Sequence, residues 1–247
     1  MNNKHDSFKK IITLHAEDLF EVEFTGTLQA KTAVIFVHGF GVKRQSRGLF
    51  VDIESICLDV LSVRAEYSQV LNDRCIALPF QVQRQRLNKI IRYIQDHYNI
   101  DNFIFIGHSQ GCITIALEQP HNALILLLAP PVISPFEEFI KTNGWKNPGS
   151  HLYIQGNSRL VRSDLIIEVP MDFWSEFKTI DAQSLYSDLA KQNNVSIIFA
   201  DNDQVLGNQQ PMDHIPTYTI SEADHDFSSK SRIELLKLIS KLILDRV

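Results

Sequence analysis

No apolar run in this chain of 247 residues approaches the ~18 that a membrane-spanning helix needs. The longest, Ala123 to Ala129, is the size of a strand, so no stable insertion into a membrane is expected. Charge of one sign does not accumulate either. Lys and Arg number 24 and Asp and Glu 29, for a net charge of −5, with no long block of one sign. Such a surface asks for neither nucleic acid nor an anionic membrane as partner. Cysteine is scarce: Cys57, Cys75 and Cys112 are odd in number and far apart. That pattern excludes a disulfide framework and points to reduced thiols in a cytoplasmic chain. The opening MNNKHDSFKK leads into charge-broken sequence, so no signal peptide is expected. No HExxH and no Cys/His cluster occurs, so no metal is expected.

What is present reads as an ordinary globular protein. The chain is 44% hydrophobic, 9% aromatic and 21% charged, enough for a sizeable core, and its length suits one α/β domain. Strand-like and helix-like segments alternate. KKIITLH and LFEVEFTG read as two strands around the Ala16-Glu17-Asp18 turn. TAVIFVHG, over 32–39, reads as a buried strand. A helix is expected over 50–61, with Ile53, Ile56, Leu58 and Leu61 on one face, and a strand over 61–68. Residues 79–97 open with Pro79 and repeat Leu87, Ile90, Ile91 and Ile94 at helical spacing. Strands follow at 103–107, 123–128, 195–199 and 216–220, and helices from 109 or 110, at 181–191 and at 230–245. Apolar strands separated by amphipathic helices imply a mostly parallel sheet covered on both faces.

Residues 130–180 differ in texture, with Pro130, Pro131, Pro135, Pro148 and Pro170 and a turn at Gly156-Asn157-Ser158. They read as an inserted cap, too short to bury a core of its own, with HLYIQ and RLVRSDLIIEV flanking the turn as a hairpin. Its Trp145, Tyr153, Phe173 and Trp174 are candidates for walls of a substrate site or for cap core.

The chemistry concentrates where strand 103–107 meets a helix, at Gly107-His108-Ser109-Gln110-Gly111. A serine hydroxyl is a poor nucleophile until a base takes its proton and donors hold the oxyanion. A strand–turn–helix elbow lifts the hydroxyl above the sheet edge and brings the next backbone N–H, that of Gln110, beside the developing charge. Three further features are then required. A second oxyanion donor is expected from the Phe40 N–H, in the His38-Gly39-Phe40-Gly41 loop after an earlier strand. An acid is expected after strand 195–199, where Asp203 is preferred and Asp201 is read as a loop carboxylate. A histidine is expected after the last strand, and His225 fits, whereas His214 precedes that strand. The order Ser109, Asp203, His225 is the one this arrangement demands.

His38-Gly39, GHSQG over 107–111, Asp203 and Ala223-Asp224-His225-Asp226-Phe227 resemble the α/β-hydrolase superfamily, over nearly the whole chain in element order and motif spacing. Within it the layout is most similar to small carboxylesterases of the cinnamoyl/feruloyl esterase and dienelactone-hydrolase-like kind. The shared features are the HGF loop, a compact hairpin cap after the sixth strand and the ADHDFS ending. The resemblance implies one α/β-hydrolase domain over 1–247: a mostly parallel eight-stranded sheet, helices on both faces and a small cap at 130–180. It also implies ester hydrolysis of a small molecule through an acyl-enzyme on Ser109, His225 and Asp203, with no cofactor. Unlike those relatives, QVLNDRCIALPF after the 61–68 strand contains no glycine. Thioesterase, amidase, peptidase and acyltransferase chemistry share the acyl-enzyme, and a binding protein on the same fold is the reading from another class. Assembly into homo-oligomers stays open.

Overall fold

The structure, a computed structural model, describes residues 7–15, 19–133, 135–141, 143–163, 165–207 and 209–244. In chain order the strands are β1 (Ser7–His15), β2 (Leu19–Thr27), β3 (Thr32–Val37), β4 (Leu61–Ala65), β5 (Gln69–Leu71), β6 (Arg74–Ile76), β7 (Asn102–His108), β8 (Leu124–Leu128), β9 (Ser158–Val161), β10 (Ile166–Val169), β11 (Asn194–Ala200) and β12 (Thr217–Ile220). The helices are α1 (Leu49–Glu54), α2 (Phe80–His97), α3 (Gln110–Glu118), α4 (Pro135–Lys141), α5 (Met171–Phe177), α6 (Ala182–Ala190) and α7 (Lys230–Leu244).

Eight strands form one sheet in the order β1-β2-β4-β3-β7-β8-β11-β12. β1 and β2 pair antiparallel, as the short connection between them requires, and β2 pairs antiparallel with β4. From β4 to β12 every neighbour is parallel. The sheet is therefore mixed, with a parallel majority, as the run of strand–helix alternation implies. The turn expected at Ala16-Glu17-Asp18 lies outside the described residues.

Period-2 alternation in β3 decides which layer each side chain enters. Ala33, Ile35 and Val37 face one core with Leu87, Ile90 and Ile94 of α2 and Ile113 of α3. Val34 and Phe36 face the other with Phe50 and Ile53 of α1 and Leu235 and Ile239 of α7. Each of the α2 residues is fully buried, a burial that contributes roughly 1.5–3 kcal/mol per side chain. α2 begins after Pro79, whose φ of −50° suits a helix entry, and stops where Tyr98 turns extended.

The helix expected over 50–61 stops at Glu54. Asp59 takes a left-handed backbone with φ 56°, Leu58 is 80% exposed and Leu61 opens β4. The helical spacing of Leu58 and Leu61 was coincidental, because the second of them belongs to a strand.

Near the antiparallel edge a buried carboxylate, that of Glu23, takes Lys9 at 2.9 Å, Arg64 at 2.9 Å and Arg44 at 3.2 Å. Burial opposes its ionisation, but the Lys9 hydrogen bond and the three cations outweigh that and hold it below the usual carboxylate range.

Between β8 and β11 the chain builds α4, β9, β10, α5 and α6. The cap hairpin lies within RLVRSDLIIEV: β9 pairs antiparallel with β10. HLYIQ contributes only an isolated bridge, His151 to Arg159. A second sheet has the order β5-β6-β10-β9. QVLNDRCIALPF thus supplies a hairpin, β5 and β6, whose inner strand runs parallel to β10 with Ile167 opposite Cys75. The buried cap residues Phe173, Trp174 and Phe177 belong to the same apolar cluster as Ile35, Leu87 and Ile113 of the body.

Candidate active site

Ser109 sits between the end of β7 and the start of α3 with φ 54° and ψ −125°. A side-chain-bearing residue held there stores on the order of 1–3 kcal/mol of strain. The surroundings force the turn. A Cβ on Gly111 would collide with the carbonyl oxygen of Val37, so only glycine lets α3 start against the end of β3. A Cβ on Gly39 would lie 2.9 Å from that of Ser109, so the loop after β3 packs directly against the elbow.

His225 lies beyond β12, in the loop before α7. Its Nε2 is 2.9 Å from Ser109 Oγ and its Nδ1 is 2.7 Å from Asp203 Oδ2. The three groups form one chain of hydrogen bonds. The other oxygen of Asp203, Oδ1, accepts from the N–H groups of Val205 and Leu206, both at 2.8 Å. Burial alone would raise this carboxyl. The hydrogen bond and charge of His225, with those two N–H groups, outweigh it and hold the pKa below the usual range. Asp201 is exposed and meets Ser221 Oγ at 3.4 Å instead. His214 is exposed.

The two expected oxyanion donors, Phe40 and Gln110, line one cavity with Ser109 and His225. Gln110 is the first residue of α3, so its N–H has no intrahelical acceptor. His38 fixes the loop that carries Phe40. Its Nδ1–H donates to the Gly39 carbonyl at 2.9 Å, and its Nε2 accepts from the Tyr67 N–H at 2.8 Å. An imidazole used in this way must be neutral, and burial moves its pKa down accordingly.

His108 clamps the opposite side. Ser46 Oγ is 3.1 Å from Nδ1, and Nε2 donates to the His225 carbonyl at 2.8 Å. Burial, with the neighbouring His225 next, pushes its pKa down to about 4. The next two carbonyls of the histidine loop are also held: Arg232 donates to those of Asp226 at 2.7 Å and Phe227 at 2.9 Å. Arg47 pairs with Asp226 at 2.6 Å. Ser46, Arg47 and Arg232 carry no sequence signal for this role: the first two reach partners 62 and 179 positions away, and Arg232 folds back from α7 onto the loop just before it. The left-handed pair Ser46 and Arg47, with φ 46° and 52°, runs directly into Gly48 at φ 88°.

The cavity measures about 70 Å³. Arg47, Arg162 and Asp226 give it polar groups, while Phe40, Phe139 and Phe177 give it an apolar wall. Of the cap aromatics expected to face substrate, Trp145, Tyr153 and Trp174 are absent from its lining. Trp174 is fully buried in the cap core with Phe173 and Phe177, Trp145 packs on Phe139 and Trp174, and Tyr153 is 58% exposed. Rings on neighbouring cap elements cover one another first, and Phe139 and Phe177 are the ones left at the cavity.

Cys75 and Cys112 are buried thiols whose pKa burial raises, and burial pushes Cys57 up to about 12, so none is poised as a thiolate. Among the described residues no group of three His, Cys, Asp or Glu side chains is arranged to hold a metal ion, and no helix is long and apolar enough to cross a membrane.

Residues 78–117, which span α2, β7, the elbow and most of α3, match the family described as "Alpha/beta hydrolase of unknown function (DUF915)". No curated protein sequence matches the chain. Solved structures do. Est1E from Butyrivibrio proteoclasticus with ferulic acid bound superposes with a TM-score of 0.74 at 13% identity, covering 95% of this chain and 98% of that one. The Pyrococcus furiosus esterase Pf2001 gives 0.68 at 11% identity, covering 99% and 93%. The esterase domain of a Rhodothermus marinus protein gives 0.65 at 12% identity, covering 95% and 97%. With eight strands in this order, a strained serine where β7 meets α3, and these likenesses, the chain has the α/β-hydrolase fold.

Proposed function

We propose that this protein is a serine hydrolase that cleaves a small carboxylic ester through an acyl-enzyme. The observation that carries the reading is the in-line chain from Ser109 Oγ through His225 to Asp203, at 2.9 and 2.7 Å. Both lie within the reach a proton transfer needs. That three structural neighbours are described as esterases supports an ester as the substrate.

In the first step Ser109 Oγ attacks the ester carbonyl carbon and its proton passes to His225 Nε2. The carbonyl oxygen becomes an oxyanion held by the Phe40 and Gln110 N–H groups, and each such donor lowers the barrier by roughly 3 kcal/mol. Asp203 stays ionised throughout, fixing Nδ1–H toward itself and stabilising the imidazolium. The carbon–oxygen bond to the alcohol then breaks, and the Nε2 proton goes to the departing oxygen. In the second step water gives a proton to Nε2 as its oxygen attacks the acyl carbon. The Ser109 ester bond breaks, Oγ recovers the proton and the carboxylic acid leaves. Water and the protein's own groups supply every atom, so no cofactor enters.

The chain is also proposed to act as one domain over 1–247, since the cap's apolar residues share the body's core. A cytoplasmic location rests on three free cysteines, two of them buried. Ser109→Ala is expected to lower hydrolysis of p-nitrophenyl acetate by a factor on the order of 10⁶. An unchanged rate refutes the assignment.

A further inference from the structure

We propose that the acyl half of the substrate is short, two or three carbons, and that Phe139 sets this limit. The proposal rests on the ester-hydrolase reading above and adds the substrate class. The chemistry orients the substrate in the cavity. The departing alcohol oxygen must lie at His225 Nε2, which is the proton donor to it. The alcohol half therefore extends on the side of His225 and the Arg47–Asp226 pair. The acyl half is then left to the apolar part of the lining, where Phe40, Phe139 and Phe177 stand in ring contact.

That wall leaves little room. The whole cavity is about 70 Å³. Sites for drug-sized ligands run from about 300 Å³ upward, and a cavity of about 150 Å³ is what takes a benzene molecule. A space of that size holds the reacting ester with a short acyl chain, and anything bulkier reaches beyond it.

Phe139 closes the space. It stands edge-on to Phe40, with ring centroids 4.5 Å apart, and edge-on to Phe177 at 5.4 Å. It also meets Trp174 at 5.7 Å and Trp145 at 5.9 Å, so the ring is held among four others. Phe40 belongs to the oxyanion loop and Phe177 is core. Phe139, half-buried on α4, is the ring whose loss lengthens the cavity without cutting into either.

The test compares p-nitrophenyl acetate, propionate, butyrate and octanoate in the wild type and Phe139→Ala, each kcat/KM divided by the hydroxide-catalysed rate of the same ester. The wild type is expected to favour acetate and propionate over octanoate by at least tenfold. Phe139→Ala is expected to raise the octanoate-to-acetate ratio at least tenfold, and Phe139→Leu to raise it by less. Should the alanine variant not fold, by near-ultraviolet circular dichroism, the leucine variant carries the comparison with an expected threefold rise. Diethyl p-nitrophenyl phosphate, whose labelling of Ser109 is read by mass spectrometry, reports the triad separately. Labelling together with octanoate turnover equal to acetate, or with a ratio unmoved by Phe139 substitution, overturns the short-acyl assignment alone. No labelling and no turnover of any ester overturns it together with the reading beneath it.

Discussion

Replacing His108 by glutamine makes the buried imidazole's share of folding stability measurable. His108 is 2% exposed, and both ring nitrogens are engaged, one accepting from Ser46 and one donating to the His225 carbonyl. In the unfolded chain it binds a proton near 6.5, and in the folded chain only near about 4. Between those values the unfolded state holds more protons, so stability falls as the pH falls from about 6.5 to about 4. At about 1.4 kcal/mol per pH unit, that window amounts to about 3 kcal/mol from this one side chain. Below it both states are protonated and the contribution stops changing. Glutamine retains a donor for the His225 carbonyl but does not titrate. Urea unfolding followed by the fluorescence of Trp145 and Trp174, from pH 4 to pH 8, gives stability curves for both proteins. The variant sits lower at neutral pH, and its deficit is expected to shrink by about 3 kcal/mol on acidification. His38, also buried and neutral, is common to both proteins and cancels in the difference. Curves that stay parallel to within about 0.5 kcal/mol would refute the argument that His108 is held uncharged by its surroundings.

Asp203→Asn is expected to lower kcat for p-nitrophenyl acetate by about 10⁴ through the wrong imidazole tautomer, while Asp201→Asn stays within threefold; equal losses would reject Asp203 as the acid. Gly111→Ala drives a methyl into the Val37 carbonyl oxygen and is expected to destabilise by about 1–3 kcal/mol in urea. A neutral result there would mean α3 has room to move off β3. Glu23→Gln leaves the buried Arg64 guanidinium short of its anion and is expected to cost about 3 kcal/mol or more of stability, with kcat unaffected; a cost under 1 kcal/mol would mean that Glu54 alone neutralises Arg64.

What was readable in the sequence is what local chemistry writes locally. β3 and β8 are apolar on both faces, so their strands stand out, and each candidate group follows the end of a strand. Ser109, Asp203 and His225 could therefore be found one at a time, and chain order joined them. Spacing failed where tertiary partners decide. Leu58 and Leu61 kept helical periodicity into a strand. β5 and β6 are three residues each, too short to show a pattern, and β6 finds its second partner in β10 about ninety residues on. Aromatic content left Trp145, Tyr153 and Trp174 open between substrate wall and cap core, because which ring faces a cavity depends on how the rings cover one another. The clamp on His225 was invisible for a related reason: Ser46, Arg47 and Arg232 act through contacts that only folding creates.

The pairing of β6 with β10 bears on how anything enters or leaves. β6 belongs to the body segment between β4 and α2, whereas β10 belongs to the cap. Main-chain bonds across that seam include Ala77 N–H to the Glu168 carbonyl at 2.8 Å and Ile166 N–H to the Asp73 carbonyl at 2.9 Å. Arg74 and Glu168 add an exposed ion pair at 3.3 Å. A flap hinged at its two chain connections would have to unzip this seam and bare the apolar underside of α5 before swinging aside. Ser109 and His225 are only half-buried, so traffic to them can use the mouth the cavity already has while the sheet beneath stays fastened. The cap over the serine is in this sense masonry, bonded to the wall it rests on.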